Sequence, residues 1–172
     1  MRDDRAFLNR AVELAQEAEA AGNMPIGSLI VLDGEIIAEG RNALLVPVYN
    51  PGGHGEIEAI KRVPAALWPR AAEMTCYSSL EPCLMCFGSL LLHGVGRIVF
   101  GALDLEGGAG CIQNHLPPYY PKVAPAPLWE GPLLPERCDP LYHRARARFI
   151  SLPCGGNHPS TEDATQDSLQ SH

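Results

Sequence analysis

Two short motifs, separated by a long stretch of chain, constrain this sequence most, because the fold has to bring them to one point. The first is His54-Gly55-Glu56 and the second is Pro82-Cys83-Leu84-Met85-Cys86. One imidazole and two thiolates form a ligand set suited to Zn²⁺, and three protein ligands leave a fourth tetrahedral position for water. On a helix, Cys83 and Cys86 lie on one face and can hold one ion. The sequence therefore predicts that His54, Cys83 and Cys86 bind Zn²⁺.

Glu56 adds to the first motif a carboxylate that does not need to bind the metal. Two residues rotate about 200° around a helix axis, so Glu56 does not share a helical face with His54. If His54 begins its helix, however, Glu56 can lean over the open end. Zinc lowers the pKa of its bound water from 15.7 toward roughly 7, and a carboxylate beside that water can carry its proton. We predict that Glu56 is the general base and then the general acid; the alternative is a solvated carboxylate on the helix surface.

The C-x-x-C pair alone has other interpretations, since it also marks redox motifs and halves of structural zinc ribbons. A redox motif leaves Pro82 and the His-x-Glu motif unexplained. A structural zinc site needs a fourth protein ligand, which His93 or Cys76 can supply, although neither has the paired spacing of such sites. The open catalytic site is therefore favoured, with the closed structural site as the alternative.

Length and composition indicate one ordinary globular domain. The 172 residues are 46% hydrophobic and 19% charged, enough for one well-buried core. No apolar stretch reaches membrane-spanning length and the first residues lack a signal-peptide core, so we expect a cytoplasmic protein with no membrane contact. In a reducing compartment the six cysteines favour a metal site over disulfides. The net charge of −7 disfavours broad nonspecific binding to nucleic acid.

Hydrophobic periodicity and turn signals predict alternating helices and strands. The predicted elements are a helix over Asp4–Ala21 ended by Gly22, strands over Gly27–Leu32 and Ile36–Glu39 around the turn Asp33-Gly34, a helix from His54 to about Val63, a strand over Met74–Ser78, a helix over Cys83–Leu92 and a strand over Arg97–Phe100. This order predicts an α/β fold in which a mixed sheet carries helices on its faces.

The pattern weakens beyond Cys111, where prolines are frequent. A strand around 126–130 is an edge strand at best. A helix is predicted over Pro135–Phe149, but Pro140 inside it is expected to kink it or to begin a new helix. The residues from Ser151 onward are almost all polar. We therefore predict a folded domain over residues 1–150 and a disordered tail over residues 151–172.

With these residues in place, the chain resembles the cytidine-deaminase-like superfamily, and within it the bacterial tRNA adenosine deaminases. Both halves of the metal motif match the H-x-E…P-C-x-x-C pattern of zinc nucleobase deaminases. The similarity runs from about Phe7 to Phe149 and includes Met24–Val31, Gly40-Arg41-Asn42 and Arg97–Asp104. The resemblance implies a three-layer α/β/α fold with a mixed five-stranded sheet, hydrolytic removal of an exocyclic amine from a nucleobase, and a homodimer.

Asn42 and Gly55 are the candidate substrate-binding residues. The resemblance implies that Asn42 grips the base, whereas the residue type alone is equally typical of turn geometry. Gly55 stands where the tRNA enzymes usually carry alanine, and His-Gly-Glu is similar to fungal-type cytosine deaminases. Asp104 is expected to cap or brace the glycine-rich loop that follows it.

Three functions remain open from the sequence. The overall resemblance favours deamination of adenosine in tRNA, with an anticodon loop as partner. The acidic charge and Gly55 favour a free base or nucleoside such as guanine, cytosine or cytidine. The third is an inactive zinc-bearing binding module, against which the intact Glu56 argues. Arg144, Arg146 and Arg148 form a basic cluster where the tRNA enzymes also carry basic residues; the alternative is a solvated helix face.

Overall fold

A computed structural model of the chain describes residues 3–123 and 125–152; most of the predicted tail, from residue 153 onward, lies outside the described residues. The elements are α1 (Asp4–Ala20), β1 (Gly27–Leu32), β2 (Glu35–Arg41), α2 (Gly55–Ile60), a 3₁₀ helix (Ala65–Glu73), β3 (Thr75–Leu80), α3 (Leu84–Leu92), β4 (Arg97–Ala102), a 3₁₀ turn (Ala109–Cys111), α4 (Tyr120–Val123), β5 (Leu128–Glu130) and α5 (Pro135–Ile150).

One mixed sheet of five strands, in the order β2-β1-β3-β4-β5, forms the middle layer. The pairs β1–β2 and β1–β3 are antiparallel, whereas β3–β4 and β4–β5 are parallel. Successive residues of a strand face opposite sides of the sheet. On one side Ile30, Cys76 and Ile98 pack with α2 and α3, and on the other Leu29, Tyr77 and Val99 pack with α1 and α5. The three-layer α/β/α prediction is confirmed.

The β1–β2 hairpin forms at the predicted turn. Asp33 and Gly34 have φ angles of 55° and 82°, the left-handed pair that a two-residue hairpin turn requires. Gly22, with φ of 89°, follows the end of α1 as predicted. These local signals position β1 and β2 correctly because both depend on residues next to each other in the chain.

The direction of the strands brings the distant motifs to one edge of the sheet. Because β2 and β3 are both antiparallel to β1, they run in the same direction, and their last residues lie at the same edge. Asn42 directly follows β2, and the residues Glu81–Cys83 follow β3. His54 and Cys83 are the residues that cap the N-termini of α2 and α3.

The opposite end of the sheet, where β3 and β4 begin, holds an ion network. Arg97, the first residue of β4, is buried and pairs with Asp4 at 2.8 Å and with Glu130 of β5. The hydroxyl of Tyr77 donates to Asp4 at 2.6 Å. A buried charge needs such partners, so this network joins α1, β3, β4 and β5 at the end of the sheet away from the two motifs.

Two predictions for the C-terminal half have different outcomes. The weak strand is present as β5 and is an edge strand, as predicted. The sequence predicted that Pro140 either begins a new helix or kinks α5. No new helix begins there, because α5 is one helix from Pro135 to Ile150. Pro140 lacks only the N–H that would bond the carbonyl of Glu136, and both residues are exposed, so water can satisfy that carbonyl. None of the helices in the described ranges is long and apolar enough to cross a membrane.

Candidate active site

Three side chains from the two motifs meet at the ends of α2 and α3. Nδ1 of His54 lies 3.5 Å from Sγ of Cys83 and 3.5 Å from Sγ of Cys86. One ligand atom from each lies within 4.8 Å of the other two. Cys76 is directed instead at the hydroxyl of Ser28, and the ring of His93 packs against Trp68. Within the described ranges the group thus has three ligands, which matches an open site rather than a closed structural one.

Close contact among the three side chains shifts the pKa of each of them. Hydrogen bonds from the Cys86 thiol and from His54 lower the pKa of Cys83 to about 4. The same contact with Cys83 and burial raise the pKa of Cys86, and the thiolate of Cys83 raises the pKa of His54. A divalent metal binds such ligands by displacing these protons. Two soft thiolates and an imidazole fit Zn²⁺ by charge and by ligand type.

Glu56 is buried beside this group, with 3% of its surface exposed, so it is not a solvated helix carboxylate. Its Oε1 accepts a hydrogen bond of 2.9 Å from Oγ of Ser78, and its Oε2 lies 3.3 Å from Sγ of Cys86. Burial, followed by the charge of Cys83, raises the pKa of Glu56. Sequence reasoning missed Ser78, whose only signal is its place in β3, just before the second motif.

Asn42 lies at the end of β2 with its amide oxygen fixed by the backbone. Its Oδ1 accepts from the amides of Met24 at 3.3 Å and Leu44 at 3.0 Å. Its Nδ2 has no partner within the described part of the chain, where every fully buried side-chain nitrogen and oxygen has one. Nδ2 must therefore reach solvent. The backbone amide of Ala43, the residue after Asn42, donates to the carbonyl of Gly53, the residue before His54, at 2.8 Å. This hydrogen bond brings Asn42 and His54 close together.

Gly55 is the buried first residue of α2. A Cβ added there would meet the carbonyl oxygen of Ile26 and the amide nitrogen of Ser28 at 3.4 Å, which is ordinary contact. Packing therefore does not exclude alanine at this position. The Cβ direction points at the backbone around β1, so Gly55 can act on a substrate only through its own main chain.

Glu81 is a second residue that sequence reasoning missed. Its buried carboxylate accepts from the amides of Asp104 and Gly110, each at 3.0 Å, and so holds the loop over residues 103–110 next to Cys83. A Cβ on Gly108 would lie 2.5 Å from the backbone oxygen of Asp104 and 2.3 Å from Oε2 of Glu81, so a side chain there would force the loop to move. The carboxylate of Asp104 accepts from the amides of Glu106 and Gly107, which confirms its predicted bracing role.

Comparison with known proteins agrees with this geometry. The family model described as the cytidine and deoxycytidylate deaminase zinc-binding region matches residues 1–102, which include both motifs. The chain belongs to this family. It is a zinc-dependent hydrolytic deaminase, and the predicted cofactor, Zn²⁺, is confirmed by the family and by the three-ligand group.

Several relatives of this deaminase are tRNA enzymes. It is 39% identical to the tRNA-specific adenosine deaminase of Bacillus subtilis over 119 residues, which are 67% of this chain and 73% of the relative. It is 32% identical to the cytosine deaminase of Candida albicans over 100 residues, 58% of this chain and 66% of that protein.

Solved structures of a tRNA deaminase and of a free-base deaminase share its fold. A chain from structural studies of A-to-I editing by tRNA:A34 deaminases matches with a TM-score of 0.68 at 28% identity, over 80% of this chain and 99% of that chain. The guanine deaminase of Bacillus subtilis matches with a TM-score of 0.55 at 28% identity, over 91% of this chain and 100% of that chain.

Two of the three arginines in the predicted basic cluster of the deaminase are paired with carboxylates. Arg144 pairs with Glu19 at 2.7 Å, Arg146 pairs with Glu106, and Arg148 donates to the carbonyl of Asn23 at 3.0 Å. Every arginine in the described ranges has an oxygen partner, those outside the cluster being Arg5, Arg10, Arg41, Arg62, Arg70, Arg97 and Arg137. The structure therefore favours the alternative interpretation, a paired and solvated helix face.

Proposed function

We propose that this deaminase converts adenosine to inosine in a tRNA anticodon loop, with water as co-substrate and ammonia as product. The observation that carries the proposal is the fold match to the tRNA:A34 deaminase chain, whose TM-score of 0.68 is higher than the 0.55 of the guanine deaminase of Bacillus subtilis at the same 28% identity. The 39% identity to the tRNA-specific adenosine deaminase of Bacillus subtilis supports the same substrate. We also propose that the reaction takes place in the cytoplasm, which the bacterial tRNA-specific relatives support.

In this proposal His54, Cys83 and Cys86 hold Zn²⁺, and Glu56 moves the protons. Zinc in an open site supplies a strong nucleophile at neutral pH. Glu56 takes one proton from the attacking water and gives it to the ring nitrogen as the carbon–oxygen bond forms. It then takes the second proton, from the added hydroxyl, and delivers it to the amine, so that the exocyclic carbon–nitrogen bond breaks and ammonia leaves. The raised pKa of Glu56 brings it nearer the working pH, which suits a group that both accepts and donates.

Asn42 binds the base in this scheme. With Oδ1 held by two backbone amides, the amide plane is fixed and Nδ2 is presented as a hydrogen-bond donor. A base nitrogen or ribose oxygen can accept from it. Gly55, which follows His54, contributes only main-chain atoms to the same pocket.

The direct test is ammonia release from a panel of substrates at equal concentration: an anticodon stem-loop with adenosine at the wobble position, the same stem-loop with guanosine there, free adenosine, guanine, cytosine and cytidine. We expect the adenosine stem-loop to be turned over fastest and its product to contain inosine. Rapid deamination of guanine or cytosine with no action on the stem-loop contradicts the proposal.

A free nucleobase or nucleoside is the second candidate, and a specific observation favours it. Arg144 and Arg146 already pair with carboxylates, which leaves little uncompensated positive charge on this face of α5 for phosphates. Each phosphate contact releases counterions, so tRNA binding must weaken with rising salt. Since Arg144 and Arg146 are paired, we expect the Arg144→Ala, Arg146→Ala double variant to keep the wild-type salt slope. Turnover of a free base that does not change with salt would support the second candidate.

We also propose that the enzyme is a homodimer through α3. This helix is apolar on both sides, and Leu84, Met85 and Leu92 are exposed on one arc of it, around the small Gly88. A helix that is apolar all round is normally buried. A second copy of the chain can cover this arc. Light scattering on the wild type should give twice the chain mass, and Leu92→Glu should give the monomer; a wild-type monomer contradicts this proposal.

A further inference from the structure

Asn23 is a buried polar residue to which the proposed mechanism assigns no role. It lies after α1 with 5% of its surface exposed. Its Oδ1 accepts from the amides of Leu45 at 2.8 Å and Val46 at 3.0 Å, and its Nδ2 donates to the carbonyl of Val46 at 3.3 Å. One side-chain amide thus satisfies three backbone groups of a loop far away in the sequence.

That loop, residues 43–53, joins the proposed base-binding residue to a proposed metal ligand. It begins after Asn42 and ends before His54. Leu44 at its start is buried, but the loop is exposed over residues 46–51, with Val48 and Tyr49 exposed at 73% and 52%. Burial of side chains does not hold this exposed part of the loop, so hydrogen bonds must fix its conformation.

A second set of hydrogen bonds joins the segment after α1 to the start of the loop, and here the side chain belongs to Asn42 and a backbone amide to the segment of Asn23. Oδ1 of Asn42 accepts from the amide of Met24, the residue after Asn23, and from the amide of Leu44. The two asparagines therefore hold each other's segments. Loss of the Asn23 amide would remove the three hydrogen bonds that hold Leu45 and Val46, the third and fourth residues after Asn42.

Arg148 supports Asn23 from α5. Its Nη1 donates to the main-chain carbonyl of Asn23 at 3.0 Å. It differs from Arg144 and Arg146, which are exposed and pair with carboxylates, because it is half-buried and bonds a backbone oxygen. A third arginine of the predicted basic cluster therefore acts on the α1–β1 connection rather than on an acidic partner.

We propose that Asn23 is a positioning residue for substrate binding, which fixes loop 43–53 so that Asn42 faces the base, with Arg148 holding Asn23 in place. The inference rests on the proposed function in taking Asn42 as the base-binding residue. If the loop is correctly ordered in only a fraction of the molecules, the apparent affinity for substrate falls to that fraction of its full value. The proposed metal ligands and Glu56 are held by α2, α3 and Ser78, so turnover of bound substrate is preserved.

The kinetic test compares Asn23→Ala and Asn23→Asp with Asn9→Ala, a matched change at a half-buried asparagine of α1 that contacts Arg137 instead. We expect Asn23→Ala to raise KM about tenfold, with kcat within about twofold of wild type and a full equivalent of zinc. Asn23→Asp should recover most of the affinity, because a carboxylate still accepts from Leu45 and Val46. An unchanged KM in Asn23→Ala overturns the proposal, and so does a fall in kcat that is accompanied by a matching loss of bound zinc.

Hydrogen exchange gives a readout that needs no substrate. In Asn23→Ala the amides of Leu45 and Val46 should lose protection while those of β1, β3 and β4 keep theirs. Faster exchange throughout the chain would mean a general structural role and would overturn the proposal. The KM comparison uses whichever substrate the ammonia assay identifies, so a failure of the tRNA proposal is distinguished from a failure of this one.

Discussion

Oγ of Ser78 donates a hydrogen bond of 2.9 Å to Oε1 of Glu56, and both side chains are buried. The bond ties the carboxylate on α2 to the central strand β3, and it leaves Oε2 on the side of Cys86. A carboxylate fixed in this way loses little rotational freedom when it transfers a proton, so the pair is a preorganised unit of the proposed mechanism.

Removing the carboxylate should abolish turnover without unfolding the site. We expect Glu56→Gln to retain zinc and fold and to lose ~10²–10⁴-fold in kcat, the usual contribution of general acid–base catalysis. The matched control is Glu58→Gln, two residues further along α2, whose carboxylate pairs with Lys61 and Arg62. Steady-state kinetics with metal analysis would test this. Near wild-type turnover by Glu56→Gln would show that another group moves the proton.

Removing only the hydroxyl of Ser78 should have a smaller effect of the same kind. A net hydrogen bond of about 1 kcal/mol corresponds to roughly fivefold in rate, so we expect Ser78→Ala to lower kcat by about that factor. Ser28→Ala is the control, since Ser28 is also buried in the sheet but donates to the carbonyl of Tyr77 at 2.8 Å. If both variants lose the same activity, the effect comes from the sheet and not from Glu56.

The metal should depend on the three-ligand group alone. We expect Cys83→Ala to lose bound zinc and activity, and a chelator to inactivate the wild type until zinc is returned. Cys111→Ala should keep both, because this exposed thiol lies outside the group and donates to the carbonyl of Gly108. Elemental analysis measures the outcome; a full equivalent of zinc in Cys83→Ala would refute the ligand assignment.

Stability should fall at acid pH through the pair Arg10 and Glu39. Two hydrogen bonds of 2.7 and 2.9 Å from Arg10 lower the pKa of Glu39 below its ordinary value of 4.5. A lowered folded-state pKa gives stability that is present above the unfolded pKa and lost as pH falls through the folded one. The Tm deficit of Glu39→Gln should therefore be largest above about pH 5 and disappear in strong acid. A deficit that does not vary with pH would show that charge is not its cause.

The sequence predicted the elements and the metal group well because their signals are local. A hairpin needs only Asp33 and Gly34 to be adjacent, and a metal motif needs only the right residue types at the right spacing. Predicting the supports of the site requires contacts between distant segments. Ser78, Glu81 and Asn23 are ordinary polar residues in the sequence, and only the sheet brings them to Glu56, to loop 103–110 and to loop 43–53.

The basic cluster shows the same limit. Three arginines on one predicted helix indicate a positive surface, but the sequence does not show which acids face them. Glu19 of α1 and Glu106 of the loop after β4 meet Arg144 and Arg146 only because α5 packs beside both. Charge counted along a helix therefore overestimates the charge that remains available to a nucleic acid.

The two edges of the sheet separate what the protein does from what holds it together. The candidate site lies where β2 and β3 end, whereas the Arg97 network lies where β4 begins. Loops 43–53 and 103–110, which adjoin the candidate site, contain none of Asp4, Arg97 and Glu130. Substitutions confined to these two loops therefore leave in place the ion pairs that join α1 to β4 and β5.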